Sequence, residues 1–364
     1  MYHNIYIYIV FLLVLLWILQ QFTKPQKLLY VWLPCALLAL PLVLRNAEFG
    51  VIDMLRYSSY YNDFEYTHSL SEAILHSNGK DVGYWGITYV FSALGFSYQQ
   101  YVSIISIFIM AVWGWFVNRY SPNVILSSFI LLGSGCYTFM FYGLRQALAF
   151  AFVLLCIDAC YEKKMKKTII LFISAFLCHW SSVAIVPLLF IGRLRLNNVV
   201  FLGYLFALIL MMIFSTQIGF LITFLFSDEY IDTYSSIGGL GGLAILYLLL
   251  LIMYFVVLKN RIAKSYKYSF FMHGFIILNM IQICSAYAYS FTRLNYFYAM
   301  SVMAVAVPMS LDDNNFKSVS NSSGNRLLYV FISLIIIILM VRLFFSFING
   351  NHLQSYVFFW EEIW

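Results

Sequence analysis

The stretch ILSSFILLGSGCYTFMFYGLRQALAFAFVLLCI, residues 125–157, carries one charged side chain, Arg145. Charge-free runs of about 20 residues, each long enough to cross a hydrocarbon core of about 30 Å, recur from the start of the chain to its end. Of the 364 residues, 63% are hydrophobic and only 10% are charged, whereas a soluble domain carries about 25% charged residues. The sequence therefore predicts an all-α protein that crosses a membrane many times.

The apolar runs define the candidate membrane segments. We expect about ten of them to be full spans and residues 168–191 to form a re-entrant or split helix pair, all within one integral domain over residues 1–364. Two polar loops on the outer side interrupt them, one at 45–98 that contains a short amphipathic helix and one at 216–239. The candidate segments are residues 5–22, 28–44, 99–118, 124–142, 145–161, 168–191, 198–215, 240–258, 268–287, 292–310 and 327–347.

Basic residues in the short loops indicate which side of the membrane each loop occupies. EKKMKKT, residues 162–168, and KNRIAKSYK, residues 259–267, are the most basic loops and are predicted to be cytoplasmic. The acid-rich segments, residues 45–86 and SDEYID at 227–232, are predicted to lie outside. Both chain termini then lie outside as well.

Residues 168–191 are the one place where this assignment needs a choice. Arg193 and Arg195 also look cytoplasmic, so the chain must cross an even number of times after residues 162–168. One solution is that 168–191 turns back on itself, with CHWSS at 178–182 as its outer apex, enclosed by protein or a water-filled cavity. The alternative is a single crossing, with the two arginines as exceptions to the charge rule.

Several polar residues collect at the predicted outer side. Arg145 begins one span, Arg293 begins another, and His179 lies at the apex of the hairpin. Simpler explanations exist, because an arginine at a span end can extend to the lipid headgroups and a histidine can be a core residue bonded to a backbone carbonyl. Further candidates are Gln146 beside Arg145, Asp53 and Arg45 in the first outer loop, and Ser181 beside His179.

These residue types limit the chemistry. Two arginines present planar donor groups that match the oxygens of a pyrophosphate, and they can stabilise a pyrophosphate leaving group without a metal. A neutral histidine or an aspartate can take a proton from an attacking hydroxyl. The sequence thus favours a site for an anionic, phosphate-bearing substrate.

No metal, cofactor or nucleic acid is predicted. The chain has no His-x-x-x-His or Cys-x-x-Cys pair, and the acidic cluster at 228–232 is a weak metal candidate. The six cysteines all fall in apolar runs, which is typical of small buried residues. The net charge of +6 does not indicate nucleic acid, because the basic residues cluster in the short loops where a membrane protein needs them.

Five segments in order resemble the EpsG family of bacterial exopolysaccharide proteins, relatives of the Wzy-type polysaccharide polymerases. The resemblance covers about residues 40–310. The matching segments are RNAEFGVIDMLRY (45–57), VGYWGITYVFSALGFS (82–97), MFYGLRQALA (140–149), FLCHWSS (176–182) and FTRLNYF (291–297).

The resemblance implies a polytopic protein of the bacterial inner membrane with a GT-C-like fold. It implies a polysaccharide polymerase that transfers a growing glycan from undecaprenyl pyrophosphate onto the next lipid-linked repeat unit, at the outer face of that membrane. A chain-length regulator and a flippase are implied as partners. Carried over by motif, Arg145, Arg293 and Gln146 would bind the pyrophosphate, and His179 or Asp53 would be the catalytic base. Arg45 and Ser181 are the remaining candidates.

Two other classes of function remain open on the sequence. A flippase or transporter of lipid-linked oligosaccharide would also use arginines in a cavity, but it should contain paired broken helices in an internal repeat. A ligase or acyltransferase acting on a lipid-linked glycan would share the donor or base chemistry. Product analysis would separate these enzymes from a polymerase.

Overall fold

The computed structural model of the chain describes residues 4–361, apart from residues 24–25, 27, 49–51, 65–68, 76–79, 195, 215–216, 218–241, 263, 286–289, 313–324, 351–352 and 354–355. Within these residues every regular element is a helix, and an isolated antiparallel bridge joins Arg45 to Phe358. The predicted all-helical class is confirmed. The predicted loop at 216–239 lies outside the described residues except for Gln217, and so does the acidic cluster at 228–232.

The described chain divides into two compact units, of which the first contains residues up to Val183 and those from Leu334 onward. A π-helical turn, Leu28–Trp32, leads into its second helix. Its helices are α1 (Ile5–Phe22), α2 (Leu33–Leu44), α3 (Ile52–Asp63), α4 (Leu70–Leu75), α5 (Val82–Ala93), α6 (Tyr98–Tyr120), α7 (Val124–Gly133), α8 (Cys136–Phe139), α9 (Leu144–Tyr161) and α10 (Met165–Cys178).

The second unit contains residues Ala184–Ser333. A 3₁₀ turn, Trp180–Ile185, leads into it, and a π-helical turn, Ala299–Met303, joins two of its helices. Its helices are α11 (Val186–Ile191), α12 (Asn198–Ile213), α13 (Gly242–Ile262), α14 (Tyr266–Cys284), α15 (Ser290–Tyr298) and α16 (Ala304–Ser310). The last helix, α17 (Asn325–Gly350), contributes its first residues to this unit and those from Leu334 to the first unit.

Several of these helices have the length and composition of membrane spans. Five of them, α1, α6, α9, α13 and α17, are long and apolar enough to cross a membrane. Four shorter apolar segments accompany them: Leu29–Leu44, Val124–Gly133, Trp180–Ile191 and Val199–Ile213. The chain is therefore a helical membrane protein, whereas the expected total of about ten spans stays a prediction.

An ionic cluster fixes one end of the helix pair α6 and α9. Arg119, at the end of α6, contacts the carboxylates of Asp158 and Glu162 at the end of α9, the former at 3.2 Å. The hydroxyl of Tyr120 donates to Asp158 at 2.8 Å. The lysine-rich segment 163–167 follows directly and includes the first residues of α10, which returns along α9. This end of the first unit thus carries the basic loop that the sequence predicts to be cytoplasmic.

The segment 168–191 is broken at the predicted position. Helix α10 ends at Cys178, His179 is extended (φ −161°, ψ 122°), and the 3₁₀ turn begins at Trp180. In the second unit α11 then leads to Leu194, whose carbonyl accepts hydrogen bonds from Ser269 and His273 near the start of α14. Arg193 therefore lies at the same end of the second unit as the basic segment 259–267, in which α13 ends and α14 begins.

Candidate active site

Asp81, the residue before α5, is the centre of a polar cluster in the first unit. Its Oδ2 accepts one hydrogen bond from Arg145 Nη1 and another from His179 Nδ1, each at 3.0 Å. Its Oδ1 accepts the backbone N–H of Trp180 at 3.1 Å. The Asp81 side chain is only 2% exposed. The buried carboxylate therefore joins the starts of α5 and α9 to the end of α10.

The backbone of Asp81 adopts an unusual conformation. Its φ of 55° and ψ of 39° lie in the left-handed region, which disfavours most side chains but which aspartate tolerates better than most. An aspartate before a helix normally caps the first turn, yet this side chain makes no such bond to α5. Its conformation instead directs the carboxylate toward His179 and Arg145, as expected of strain kept at a functional position.

Arg145, in the first turn of α9, is held by aromatic and polar partners. Its Nε donates to the hydroxyl of Tyr57 at 3.1 Å. Its guanidinium carbon lies 5.4 Å from the ring centre of Tyr57 and 6.0 Å from that of Trp85. The side chain is still 33% exposed, and among the described residues its Nη2 has no hydrogen-bond partner. Arg145 can therefore meet a ligand while its charge is balanced by Asp81.

The electrostatics of the cluster favour an ionised Asp81. Burial alone would raise the pKa of the Asp81 carboxyl, but the hydrogen bond and charge of His179, the charge of Arg145 and the N–H of Trp180 outweigh it and lower the pKa. The stability that this carboxylate contributes is complete above its unfolded pKa of about 3.9. It is lost as the pH falls through the lower folded value.

His179 is oriented for proton transfer by this carboxylate. An ionised aspartate only accepts hydrogen bonds, so Nδ1 of His179 carries the proton in the 3.0 Å contact with Asp81. In the neutral ring Nε2 is then unprotonated and can accept a proton. The side chain is 18% exposed. The Asp81–His179 pair therefore has the geometry of a carboxylate-oriented general base.

Aromatic side chains of α3 and α5 enclose one side of the cluster. The ring of Trp85 makes edge contacts with Tyr57, Tyr60 and Phe64, with centroid distances of 6.5, 5.3 and 5.9 Å. Trp85 is 6% exposed and Tyr57 is 7% exposed. These rings exclude water from part of the site, which strengthens the interaction between Asp81 and Arg145.

The sequence-predicted residues are thus brought together only in part. Arg145 and His179 meet through Asp81, and Gln146 is buried next to Arg145. Asp53 lies in the first turn of α3, one turn before Tyr57, and is half-buried. Ser181 is buried in the turn that follows His179, and its hydroxyl has no partner among the described residues. Arg45 is buried at the end of α2, and Arg293 belongs to α15 of the second unit.

Asp81 was not among the predicted site residues. It precedes the helix that begins at Val82, so its simplest interpretation from sequence is a helix cap. Its partner His179 is 98 residues further along the chain. The segment DVGYWG, residues 81–86, belongs to the acid-rich outer loop, and that position was the available signal. Across the part of the chain that the structure describes, no group of three His, Cys, Asp or Glu could hold a metal ion.

Gly143 shapes the turn that leads into α9. A Cβ atom at this position would lie 2.2 Å from the ring of Phe139, which is itself buried. We expect Gly143→Ala to lower the free energy of unfolding by about 1–3 kcal/mol, because the ring must move within a packed core. Gly203→Ala is the matched control, since nothing lies within 4 Å of its added Cβ in α12. Thermal unfolding checks both variants. A Gly143→Ala variant as stable as the wild type would contradict the close packing of Gly143 against Phe139.

The comparisons with known proteins identify the family. The chain matches the EpsG family over residues 28–359, nearly its whole length, and therefore belongs to that family. No curated protein and no solved structure matches it. Together with the apolar helices, this membership identifies a membrane protein related to exopolysaccharide polymerases.

Proposed function

We propose that this member of the EpsG family is a glycan polymerase of the bacterial inner membrane. It would transfer a growing glycan from undecaprenyl pyrophosphate onto a sugar hydroxyl of the next lipid-linked repeat unit. The observation that carries this proposal is the Asp81–His179–Arg145 cluster, which combines an oriented base with a partly exposed cation. A GT-C-like fold is part of the proposal.

The place of the cluster on α9 supports a reaction at the outer face. Arg145 lies in the first turn of α9, and the lysine-rich segment 163–167 follows its other end. The 18 residues of this helix span about 27 Å at 1.5 Å per residue. If the lysines face the cytoplasm, the cluster lies at the outer surface, where a lipid-linked glycan is extended. Both termini are proposed to lie on that side.

His179 is the proposed general base. Its Nε2 takes the proton of the acceptor hydroxyl as that oxygen attacks the anomeric carbon of the donor sugar. The bond from this carbon to the pyrophosphate oxygen breaks, and the pyrophosphate leaves with the bonding electrons. Asp81 stabilises the imidazolium that forms, because its carboxylate is already bonded to Nδ1. Asp53 is the second candidate for the base.

Arg145 is the proposed contact for the leaving group. The side chain is one-third exposed, and its Nη2 can donate to pyrophosphate oxygens as negative charge develops there. Asp81 balances part of its charge, so Arg145 alone does not neutralise a pyrophosphate. Gln146, and Arg293 on sequence grounds, are proposed to add donors. No metal is proposed in this step.

The proposal is tested with purified full-length protein in lipid nanodiscs and synthetic lipid-linked repeat units. We expect the wild type to lengthen the glycan, and His179→Ala to slow elongation by about 10²- to 10⁴-fold, the contribution of a general base. Arg145→Ala should also slow elongation strongly. Arg119→Gln is the control and should elongate normally, because Arg119 of α6 contacts the opposite end of α9.

The outcomes separate the candidate functions. If His179→Ala and Arg145→Ala are folded and still elongate glycan at the wild-type rate, the assignment of these residues is wrong. If the wild type moves intact lipid-linked units across the bilayer but joins none of them, the flippase is supported instead. Transfer of finished glycan to a different acceptor would support a ligase.

A further inference from the structure

The C-terminal strap, residues 356–361, pairs with the end of α2. Its backbone forms an antiparallel bridge in which Phe358 faces Arg45. Backbone hydrogen bonds flank the bridge on both sides, one of them from Asn46 N–H to Val357 O at 2.8 Å. This pattern makes Arg45 and Phe358 a non-hydrogen-bonded pair, whose side chains lie on the same face and close together. The strap therefore covers Arg45.

Arg45 is a buried cation with few partners. The residue is 5% exposed, and its Nη1 donates to Met140 O at 3.3 Å. Its guanidinium carbon lies 5.0 Å from the ring centre of Phe141. Within the described residues its Nε and Nη2 have no hydrogen-bond partner, and no carboxylate pairs with it. Burying a charge in this way is costly, so the arginine is not explained by stability alone.

Both contacts of the Arg45 guanidinium fall on the turn that precedes Arg145. Met140 and Phe141 belong to the tight connection between α8 and α9, which ends at Gly143. The turn is closed by the Gly143 N–H, which donates to Phe139 O at 2.8 Å, and there is no room for a larger residue at Gly143. A shift at Met140 is therefore passed to the first turn of α9, where Arg145 lies.

Aromatic rings hold the same turn from the side of the strap. The ring of Tyr6 makes edge contacts with Phe141 and with Tyr356, both at 5.9 Å between centroids. The hydroxyl of Tyr356 donates to Pro41 O at 2.9 Å. Tyr6 of α1 thus contacts both the strap and the turn, and the Arg45 guanidinium adds a polar contact to the same turn.

We propose that Arg45, held in place by the C-terminal strap, is a positioning residue for Arg145. It fixes the Met140–Gly143 turn and thereby the guanidinium that pairs with Asp81. The catalytic consequence rests on the proposed function, whereas the mechanical link between Arg45 and Arg145 does not. The two parts are therefore tested separately.

The link is tested by a double-mutant cycle on thermal unfolding of the full-length protein. Arg45→Met removes the hydrogen bond and the charge but keeps a long side chain. If Arg45 acts through Arg145, the double variant with Arg145→Met should lose less stability than the two single losses predict, by about 2 °C or more in Tm. Arg45→Met with Arg119→Gln is the control cycle and should be additive. Additivity in the first cycle would overturn the proposal.

A second variant keeps the test decisive if Arg45→Met does not fold. Phe358→Ala loosens the strap and leaves the Arg45 side chain in place, and its cycle with Arg145→Met should show the same shortfall. In the elongation assay either variant should lower kcat by about tenfold to a hundredfold, as expected of a misplaced group. A wild type without elongation activity would defeat the proposed function and leave the stability cycle valid. Wild-type kcat in both variants would overturn the positioning role.

Discussion

Asp81→Asn is expected to slow glycan elongation by about a hundredfold or more, with the helical fold retained. The change keeps the size of the side chain and its tolerance of the left-handed backbone, but it removes the charge that accepts from His179 Nδ1. An asparagine amide can donate to Nδ1, which then leaves the proton on Nε2. A ring with a protonated Nε2 cannot take the proton of the acceptor, and the comparable change in serine proteases costs about 10⁴-fold.

The measurement is elongation rate per folded protein, with Asp158→Asn as the matched control. Asp158 is also a buried aspartate paired with an arginine, Arg119, but it lies at the other end of α9. We expect Asp158→Asn to lower stability and to leave elongation unchanged. Should Asp53→Asn abolish elongation while Asp81→Asn does not, Asp53 would be the base and the role given to Asp81 would be wrong.

Arg145→Met is expected to lower stability more than Asp81→Asn does. It leaves the Asp81 carboxylate, which is 2% exposed, without its fixed positive charge. The reverse change leaves Arg145 one-third exposed and bonded to Tyr57. Breaking a fully buried ion pair by removing one partner costs about 3–5 kcal/mol. Because Arg145 is one-third exposed, solvent already screens this pair, and we expect Arg145→Met to lower the free energy of unfolding by about 1–3 kcal/mol.

The pH dependence of this difference identifies its cause. Without Arg145 the pKa of the Asp81 carboxyl should rise, so that protonation removes the unpaired charge as the pH falls. The stability lost in Arg145→Met should therefore be larger at pH 7.5 than at pH 4.5. Thermal unfolding of both proteins at the two pH values gives the result. Equal losses at both would show that packing, and not the charge of Asp81, explains the effect.

The sequence alone predicts which ends of α9 and α10 carry the candidate site residues. Charge-free runs and lysine-rich turns are local signals, and they predict that Arg145 and His179 lie at the end remote from residues 163–167. The structure brings these two residues together through Asp81. The break at His179 falls within residues 178–182, the apex predicted by the alternative that keeps two basic segments on the same side.

Other features depend on contacts that no local pattern encodes. The predicted span at 124–142 is broken after α7, where Gly135 has a φ of 78°. The segment Gly133-Ser134-Gly135 is a turn signal, but hydropathy alone does not register it. Asp81 has the sequence of a helix cap, and its role appears only when His179 is beside it. The strap pairs Arg45 with Phe358 across nearly the whole chain. Hydropathy reports burial, not partners.

The left-handed backbone of Asp81 has a consequence for the mutational routes open at this position. The residues one nucleotide away from aspartate include asparagine, glycine and glutamate. Asparagine and glycine accept the backbone but lack the charge, while glutamate keeps the charge on a longer side chain that is less suited to this conformation. No single step therefore keeps both properties. We therefore expect random mutagenesis under selection for polymer to yield only aspartate at position 81.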